Sequence, residues 1–215
     1  MDVHHIPGEE IRDFVPLGGL RMLIVSYNGI ISITNSTDIE CQVNMHLTKD
    51  EVTKALALDG SKKYFCVSVK NSNPMVPSLR FYRLSDCKKG ISFLESVDFA
   101  LEEIIRNDFS YFFAINFEAS VDGRPILTAF QCCNEFRVYA FYIDESDQVK
   151  KIGYRKTASL KFIWDCKFHN GTVYALDRDL NLTTVNYHSV NMDQEIQILA
   201  QKFSLQNEED LKKLG

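Results

Sequence analysis

The densest group of side chains with binding chemistry in this sequence is a set of basic residues in its last third. A lysine ammonium or an arginine guanidinium pairs with phosphate oxygens or with the carboxylates of an acidic partner. On an edge strand the same charges would instead keep that strand from pairing with another sheet, so both interpretations stay open. We treat six residues as candidate contacts for a protein partner or for RNA: Lys150, Lys151, Arg155, Lys156, Lys161 and Arg178.

Residues that could catalyse a reaction or hold a metal ion are scattered through the chain. The five histidines form no H-x-H or H-x-x-x-H set, and the six cysteines include no C-x-x-C pair. The sequence contains no G-x-S-x-G nucleophile turn and no G-x-G-x-x-G phosphate loop. We therefore predict a protein that is not an enzyme, that has no cofactor or metal ion, and whose cysteines are reduced structural residues.

Composition limits the class of protein further. The chain has 215 residues, of which 45% are hydrophobic and 25% are charged, as expected for one folded domain. The net charge of −5 argues against non-specific binding of nucleic acid by the whole surface. The first residues lack the pattern of a signal peptide, and no apolar stretch is long enough to span a bilayer. We expect a location in the nucleus or cytoplasm and no membrane contact.

Strand-like segments separated by tight turns recur along the chain. Asn-Gly or Asp-Gly occurs at residues 28–29, 59–60, 122–123 and 170–171, next to alternating apolar runs. A repeat of roughly 40–60 residues with a turn inside each unit is typical of propeller blades. The runs fall into four groups: 20–26, 30–34 and 39–47; 55–58, 64–69 and 79–84; 114–117, 125–130 and 136–141; 166–169, 172–176 and 182–187. The predicted fold is therefore all-β, a propeller of about four blades.

The pattern also predicts how the rest of the chain is organised. Residues 1–18 read as a polar lead-in broken by prolines, 19–203 as the propeller-like domain, and 204–215 as a short C-terminal helix or tail. Leucine and isoleucine at helical spacing favour an internal helix within 96–108. The Thr-Lys-Asp-Glu phrase at 48–51 matches a capping box, but we interpret it as a turn because a glycine follows too soon.

Glycine in a two-residue hairpin turn often needs a positive φ angle, which other residues adopt at a cost. We expect this conformation at Gly60, Gly123 and Gly171, each of which follows an asparagine or aspartate.

Two phrases in the sequence give it a resemblance to a known family. Residues 160–168, which contain Trp164-Asp165, and the phrase Asp177-Arg178-Asp179 resemble the WD-repeat, non-catalytic subunit of tRNA (guanine-N7)-methyltransferase. Residues 55–84 resemble the second blade of the same family. That family has seven blades, and its charged partner contacts are replaced here by Leu180 and Thr183. The resemblance therefore implies a shortened or divergent relative.

The resemblance implies a scaffold that holds a methyltransferase catalytic subunit and helps to position tRNA, without binding S-adenosylmethionine itself. An adaptor of another multiprotein complex is the alternative within the same class. A propeller enzyme or small-molecule sensor is a further alternative, and it would require Asp165, His169 and Asp177 to converge at a central channel. An open propeller would leave two sheet faces uncovered, which would favour a homodimer.

Overall fold

The computed structural model describes residues 10–36, 38–72, 77–85, 90–99, 111–119, 125–132, 136–156, 163–169, 172–177, 180–186 and 203–204. Within these ranges the regular structure consists of sixteen β-strands, with no helix. Accordingly, no helix in the described part of the chain is long and apolar enough to cross a membrane.

The strands form four antiparallel sheets of four strands each, and every sheet is a continuous segment of the sequence. Sheet 1 contains β1 (Ile11–Gly18), β2 (Arg21–Ser26), β3 (Ile30–Thr34) and β4 (Ile39–Asn44). Sheet 2 contains β5 (Glu51–Leu58), β6 (Tyr64–Asn71), β7 (Pro77–Leu84) and β8 (Ile91–Asp98). Sheet 3 contains β9 (Tyr111–Ala119), β10 (Pro125–Cys132), β11 (Phe136–Ile143) and β12 (Val149–Lys156). Sheet 4 contains β13 (Ile163–His169), β14 (Thr172–Asp177), β15 (Asn181–Asn186) and β16 (Phe203–Ser204).

Local sequence explains how the first hairpin sets its register. Asn28-Gly29 joins β2 to β3, and Gly29 has a φ of +85°. Leu23 is paired with Ile33 in this hairpin. Because successive side chains in a strand point to opposite faces, this register puts the large apolar residues of both strands on the same face of sheet 1.

The sheets stack face to face around two apolar cores. The core between sheets 1 and 2 contains Phe65 stacked on Tyr82, with ring centroids 4.9 Å apart. The core between sheets 2 and 3 contains Phe81 against Phe141, edge to face with centroids 5.9 Å apart. Sheet 2 therefore buries both of its faces.

The first strand of each sheet lies on the inside of the stack. Strand β5 lies between β1 and β9, and β9 also contacts β13. The Leu56 backbone N–H donates to the Asp13 carboxylate across 2.9 Å, and the Thr53 hydroxyl donates to the Ser26 carbonyl across 2.8 Å. Consecutive four-stranded sheets whose first strands adjoin in this way are the blades of a β-propeller.

Most sequence predictions for the fold are confirmed. Each of the four predicted groups of strands forms one sheet, and the basic edge strand that the sequence predicts at 150–156 is β12, the fourth strand of sheet 3. The other three sheets each gain a fourth strand that the pattern did not assign, namely β1, β8 and β16. The segment at 48–51 is a turn, in which the Thr48 N–H donates to the Glu51 carboxylate at 2.8 Å.

Three expectations are corrected. The prolines of the lead-in do not interrupt regular structure after residue 10, because residues 11–18 form β1. The predicted helix within 96–108 does not begin at residue 96, since β8 continues through residue 98. Gly60 does not have a positive φ; in that turn Lys62 takes the left-handed conformation, with a φ of +59°.

Other expectations lie outside the described residues. They are the positive φ angles at Gly123 and Gly171, the remainder of the internal helix, and the C-terminal helix beyond residue 204. Ser204 itself belongs to β16. The domain limits stay predictions.

Two cysteines in the described part of the chain have no disulfide partner, and they differ in environment. Cys66 in β6 is fully buried between sheets 2 and 3, whereas Cys41 in β4 is half-buried. Burial raises the pKa of the Cys66 thiol well above its ordinary value, because the apolar core disfavours the thiolate.

Candidate interaction surface

The turn between β11 and β12 is rigidified by its own aspartates. The Asp144 carboxylate accepts hydrogen bonds from the backbone N–H groups of Ser146 and Gln148, both at 2.9 Å. The Asp147 N–H donates to the Asp144 carbonyl at 3.0 Å. Asp147 takes the left-handed conformation, with a φ of +61°. This geometry fixes the Asp147 backbone at the border between sheets 3 and 2.

From this turn the Asp147 side chain crosses to sheet 2. Its carboxylate accepts a hydrogen bond from the Tyr64 hydroxyl at 2.5 Å and another from the Arg83 guanidinium. The Lys63 ammonium lies 4.0 Å from the same carboxylate and 4.7 Å from the centre of the Tyr64 ring. Asp147 thus ties the outer part of sheet 3 to the start of β6 and the end of β7.

The ionisation of this cluster follows from its contacts. The Tyr64 hydroxyl and the Arg83 guanidinium hold the pKa of Asp147 below its ordinary value, because both stabilise the carboxylate form. Burial raises the pKa of Tyr64, and its hydrogen bond to Asp147 acts in the same direction. Near neutral pH the contact is therefore a neutral phenol donating to a charged carboxylate.

Strand β12, which follows this turn, carries four of the six predicted basic residues along the edge of sheet 3: Lys150, Lys151, Arg155 and Lys156. Lys150 and Lys151 are both exposed, and the Lys150 ammonium donates to the Gln148 side-chain oxygen at 2.5 Å. The Lys151 ammonium lies 5.4 Å from the ring centre of Tyr139 and 5.9 Å from that of Phe99. Lys151 therefore covers two aromatic rings of the core, in addition to displaying its charge.

The remaining predicted contact residues are only partly placed. The backbone of Arg155 and Lys156 continues the same edge strand, opposite residues of β11, while their side chains lie outside the described residues. Lys161 and Arg178 also lie outside the described part of the chain. The structure thus brings Lys150 and Lys151 to one edge, and the rest of the set stays a prediction.

Lys63 and Arg83 are members of the surface that sequence reasoning missed. Their side chains are 42% and 41% exposed, beside Asp147. Arg83 and Asp147 are 64 residues apart in the chain, so no local motif joins them. We call the set the mixed-charge rim, and it consists of Lys63, Arg83, Glu145, Asp147, Lys150 and Lys151.

Within the described residues, no group of three histidine, cysteine, aspartate or glutamate side chains is placed to hold a metal ion. The backbones of Asp165, His169 and Asp177 lie in the neighbouring strands β13 and β14. Their side chains, and hence any convergence at a central channel, lie outside the described part. The exposed ion pairs of the mixed-charge rim are groups that can pair with charged groups of a binding partner.

Comparison with known proteins bears on the fold. No protein-family model and no curated protein sequence matches this chain. Among solved structures, the chain is similar to a protein from Lactobacillus plantarum, with a TM-score of 0.62 and 13% identity over 91% of this chain and 55% of that one. It is also similar to Saccharomyces cerevisiae Sqt1, with a TM-score of 0.52 and 6% identity over 83% of this chain and 45% of that one. The C-terminal WD40 domain of Sif2 matches with a TM-score of 0.45 and 10% identity, over 83% and 47% of the two chains.

The fold is accordingly all-β and of the propeller type, and the described residues form four blades. The chain spans about half the length of the solved structures that it matches.

Proposed function

We propose that this protein is a non-catalytic scaffold that binds a protein partner through the mixed-charge rim. The observation that carries the proposal is the display of Lys150 on a rigid edge, next to a turn that Asp144 and Asp147 hold in place. A surface whose groups are already ordered loses less conformational entropy when a partner binds.

The signs of the charges favour a protein over a nucleic acid at this surface. Asp144 and Glu145 lie on the turn, and Asp147 lies between Lys63 and Arg83, so the rim presents both signs within a short distance. A polyphosphate backbone is best met by cations alone, whereas alternating charges select a partner with the complementary pattern.

The sequence resemblance suggests one partner, the catalytic subunit of a tRNA (guanine-N7)-methyltransferase. In that case the chain would support an enzyme active on tRNA, and the basic residues of β12 would approach the RNA. The alternative is an adaptor for another multiprotein complex. Both share the binding surface and differ in what it binds.

The test is quantitative recovery of partners by the tagged protein from its native cells. Lys150→Glu reverses a rim charge, and we expect roughly fivefold lower recovery of the partner because rim charges steer association. Lys49→Glu is the matched control, since Lys49 is an exposed lysine in the turn between sheets 1 and 2, away from the rim. Equal recovery by wild type and both variants would overturn the assignment of the partner to the rim.

The recovered proteins decide between the two partners. A methyltransferase catalytic subunit together with tRNA would support the role suggested by the resemblance. Another complex, without that enzyme, would support the adaptor role. Binding of purified chain to tRNA alone, with a steep dependence on salt, would instead support direct RNA contact and overturn the preference for protein.

A further inference from the structure

A cavity lies between sheets 1 and 2, at the end of the sheets where β2 begins and β7 ends. Its volume is about 180 Å³. We call it the border cavity, and its described lining residues come from both sheets: Leu17, Arg21 and Ile33 from sheet 1, and Lys62, Leu84, Ser85 and Gly90 from sheet 2 and its turns. An engineered protein cavity of about 150 Å³ holds a benzene molecule, so a group of about six non-hydrogen atoms fits here.

The turn that carries Lys62 is held in one conformation by Asp59. The Asp59 carboxylate is buried and accepts hydrogen bonds from the backbone N–H groups of Ser61 at 3.0 Å and Tyr64 at 2.6 Å. The Lys62 N–H donates to the Asp59 carbonyl at 2.9 Å. Lys62 itself has a φ of +59°, a conformation that costs free energy in a residue other than glycine. The turn therefore fixes the start of the Lys62 side chain at the border between sheets 1 and 2.

From this turn the Lys62 ammonium reaches sheet 1. It donates to the Leu17 carbonyl across 2.7 Å. Gly18 leaves room for it, since a Cβ atom at Gly18 would lie 2.9 Å from Lys62 Nζ. An ammonium has three N–H donors, and among the described residues the Leu17 carbonyl is its one hydrogen-bond acceptor. Lys62 can therefore bind an anion in the border cavity while it keeps its contact with sheet 1.

Arg21 brings a second positive charge to the cavity, from the opposite sheet. Its Nε donates to a Glu40 carboxylate oxygen at 2.8 Å, and a terminal nitrogen lies 2.7 Å from the same oxygen. This contact holds the guanidinium at the edge of sheet 1, where the side chain stays 32% exposed. A guanidinium has five N–H donors, so one carboxylate oxygen does not saturate it. No carboxylate is among the described residues that line the cavity.

The border between sheets 2 and 3 holds a carboxylate at the same end of sheet 2. There the Asp147 carboxylate accepts a hydrogen bond from Arg83, and the Lys63 ammonium lies 4.0 Å from it. Lys63 and Arg83 directly adjoin Lys62 and Leu84 in the sequence, so the two borders flank the same ends of β6 and β7. The chain supplies its own carboxylate to the cations at one border, and a cavity adjoins the cations at the other.

We propose that the border cavity binds a carboxylate group carried on a short apolar stem. The Lys62 ammonium and the Arg21 guanidinium pair with the carboxylate. Leu17, Ile33 and Leu84 contact the stem. An inorganic phosphate ion has no stem and would leave these apolar side chains against water, so it fits less well. A glutamate side chain of a protein and a free short-chain carboxylic acid share the required chemistry.

The first test is a titration of the purified full chain with sodium butyrate at pH 7, followed by the NMR shifts of backbone amides. We expect saturable shifts at residues 62, 85 and 90, with a dissociation constant of about 1–10 mM. Butyramide has the same shape without the charge, and sodium phosphate has charge without the stem, so both should bind at least fivefold more weakly. The absence of shifts with butyrate, or equal binding of either control compound, would overturn the proposal.

Substitutions identify the residues that bind butyrate. Lys62→Gln removes the charge, keeps most of the side chain, and should weaken binding at least fivefold. Lys49→Gln is the matched control, because Lys49 is an exposed lysine in the turn between β4 and β5, at the opposite end of the sheets. Arg21→Gln leaves the Lys62 turn intact and should weaken binding at least threefold. A dissociation constant unchanged in both cavity variants would overturn the assignment.

A further variant tests whether the chain fills the cavity itself. Asp86 follows Ser85 in the sequence and lies outside the described residues. We expect Asp86→Asn to bind butyrate with a dissociation constant within threefold of the wild-type value. Binding that is tenfold tighter or more would show that the Asp86 carboxylate competes for the site, and it would overturn the assignment to an external ligand.

Recovery of partners from native cells distinguishes the two sources of the carboxylate. If a protein side chain occupies the cavity, excess butyrate and Lys62→Gln should both lower the recovery of that protein. Butyrate binding without any change in recovery would assign the cavity to a free carboxylic acid. The titration uses the purified chain alone, so it can fail while recovery still depends on Lys150, and it can succeed where that dependence fails.

Discussion

Sheets 1 and 2 are neighbours of the same topology, yet they differ in how many faces they bury. In β6 of sheet 2, six consecutive residues from Tyr64 to Val69 are buried. In β1 of sheet 1, exposed and half-buried residues alternate from Asp13 to the end of the strand. Position in the stack therefore matters more than strand pairing: an interior sheet is covered on both sides, and a terminal sheet on one.

The difference also explains where stabilisation comes from in this chain. Sheet 2 contributes residues to both cores, including Phe65 to one and Phe81 to the other. Sheet 1 contributes to one core only. Since apolar burial is the main favourable term in folding, truncating core residues of sheet 2 should lower the stability of the whole domain.

The largest effect should come from truncating the interior aromatic residue Phe81. Phe81 is fully buried and packs edge to face on Phe141. Phe81→Ala should lower the free energy of unfolding by about 3–5 kcal/mol, because it removes buried surface and leaves a cavity. Urea unfolding of the wild type and the variant measures the loss.

The same truncation in sheet 1 sharpens the contrast. Phe14→Ala should cost less than about 1 kcal/mol, since Phe14 is more than half exposed. Equal losses at Phe14 and Phe81 would contradict the distinction between terminal and interior sheets.

An effect between those of Phe81→Ala and Phe14→Ala distinguishes the hairpin turns of the two sheets. Gly29 in sheet 1 has a φ of +85°, and a Cβ atom there would lie 2.6 Å from the Leu47 side chain. Gly60 in sheet 2 has neither a positive φ nor a neighbour within 4 Å of such an atom. Gly29→Ala should therefore cost about 1–3 kcal/mol, while Gly60→Ala should be nearly neutral or slightly stabilising.

Thermal and urea unfolding of both glycine variants would measure this difference. A loss at Gly60→Ala as large as that at Gly29→Ala would mean that the turn into β6 needs glycine for a reason other than backbone conformation.

The smallest effect is a loss of folding stability in acid, and it tests the contacts that Asp147 makes between sheets 2 and 3. The pKa of Asp147 is lower in the folded chain than its ordinary value of 3.8, because Tyr64 and Arg83 stabilise the carboxylate. The unfolded chain therefore binds a proton here more readily, and the stabilisation is present above about pH 4 and is lost as the pH falls below it.

Asp147→Asn should remove this pH-dependent part of the stability. Asparagine also tolerates the left-handed backbone conformation of this position, so the turn is kept. Urea unfolding between pH 3 and pH 7 should show the variant less stable than wild type at neutral pH, with the gap narrowing below about pH 4. A gap that stays constant over this range would argue against a charged Asp147 as the tie.

The fold was largely predictable, because its signals are local. Strand alternation and the Asn28-Gly29 turn identify the hairpins, and the repeat identifies the sheets. Strand β1 was missed because Pro16 normally argues against a strand. At the edge of its sheet β1 pairs only with β2, so proline loses no ladder hydrogen bond on its free side.

The interaction surface was predictable only in part. Lys150 and Lys151 stand in a basic run that is visible in the sequence, on the predicted edge strand. Their surroundings depend on contacts between distant segments: Lys63 and Arg83 meet Asp147 across a sheet boundary, and Lys151 covers Phe99 and Tyr139. Such juxtapositions follow from the stacking angle of the sheets, which the alternation of a single strand does not encode.

The buried thiol of Cys66 makes the opening of sheet 2 measurable by chemical labelling. Only a thiolate reacts with an electrophile, and the apolar core both shields this sulfur and disfavours its ionised form. Alkylation of Cys66 must therefore wait until β6 separates from its neighbours. The rate at which a thiol reagent labels Cys66 therefore reports how often sheet 2 opens in the native protein.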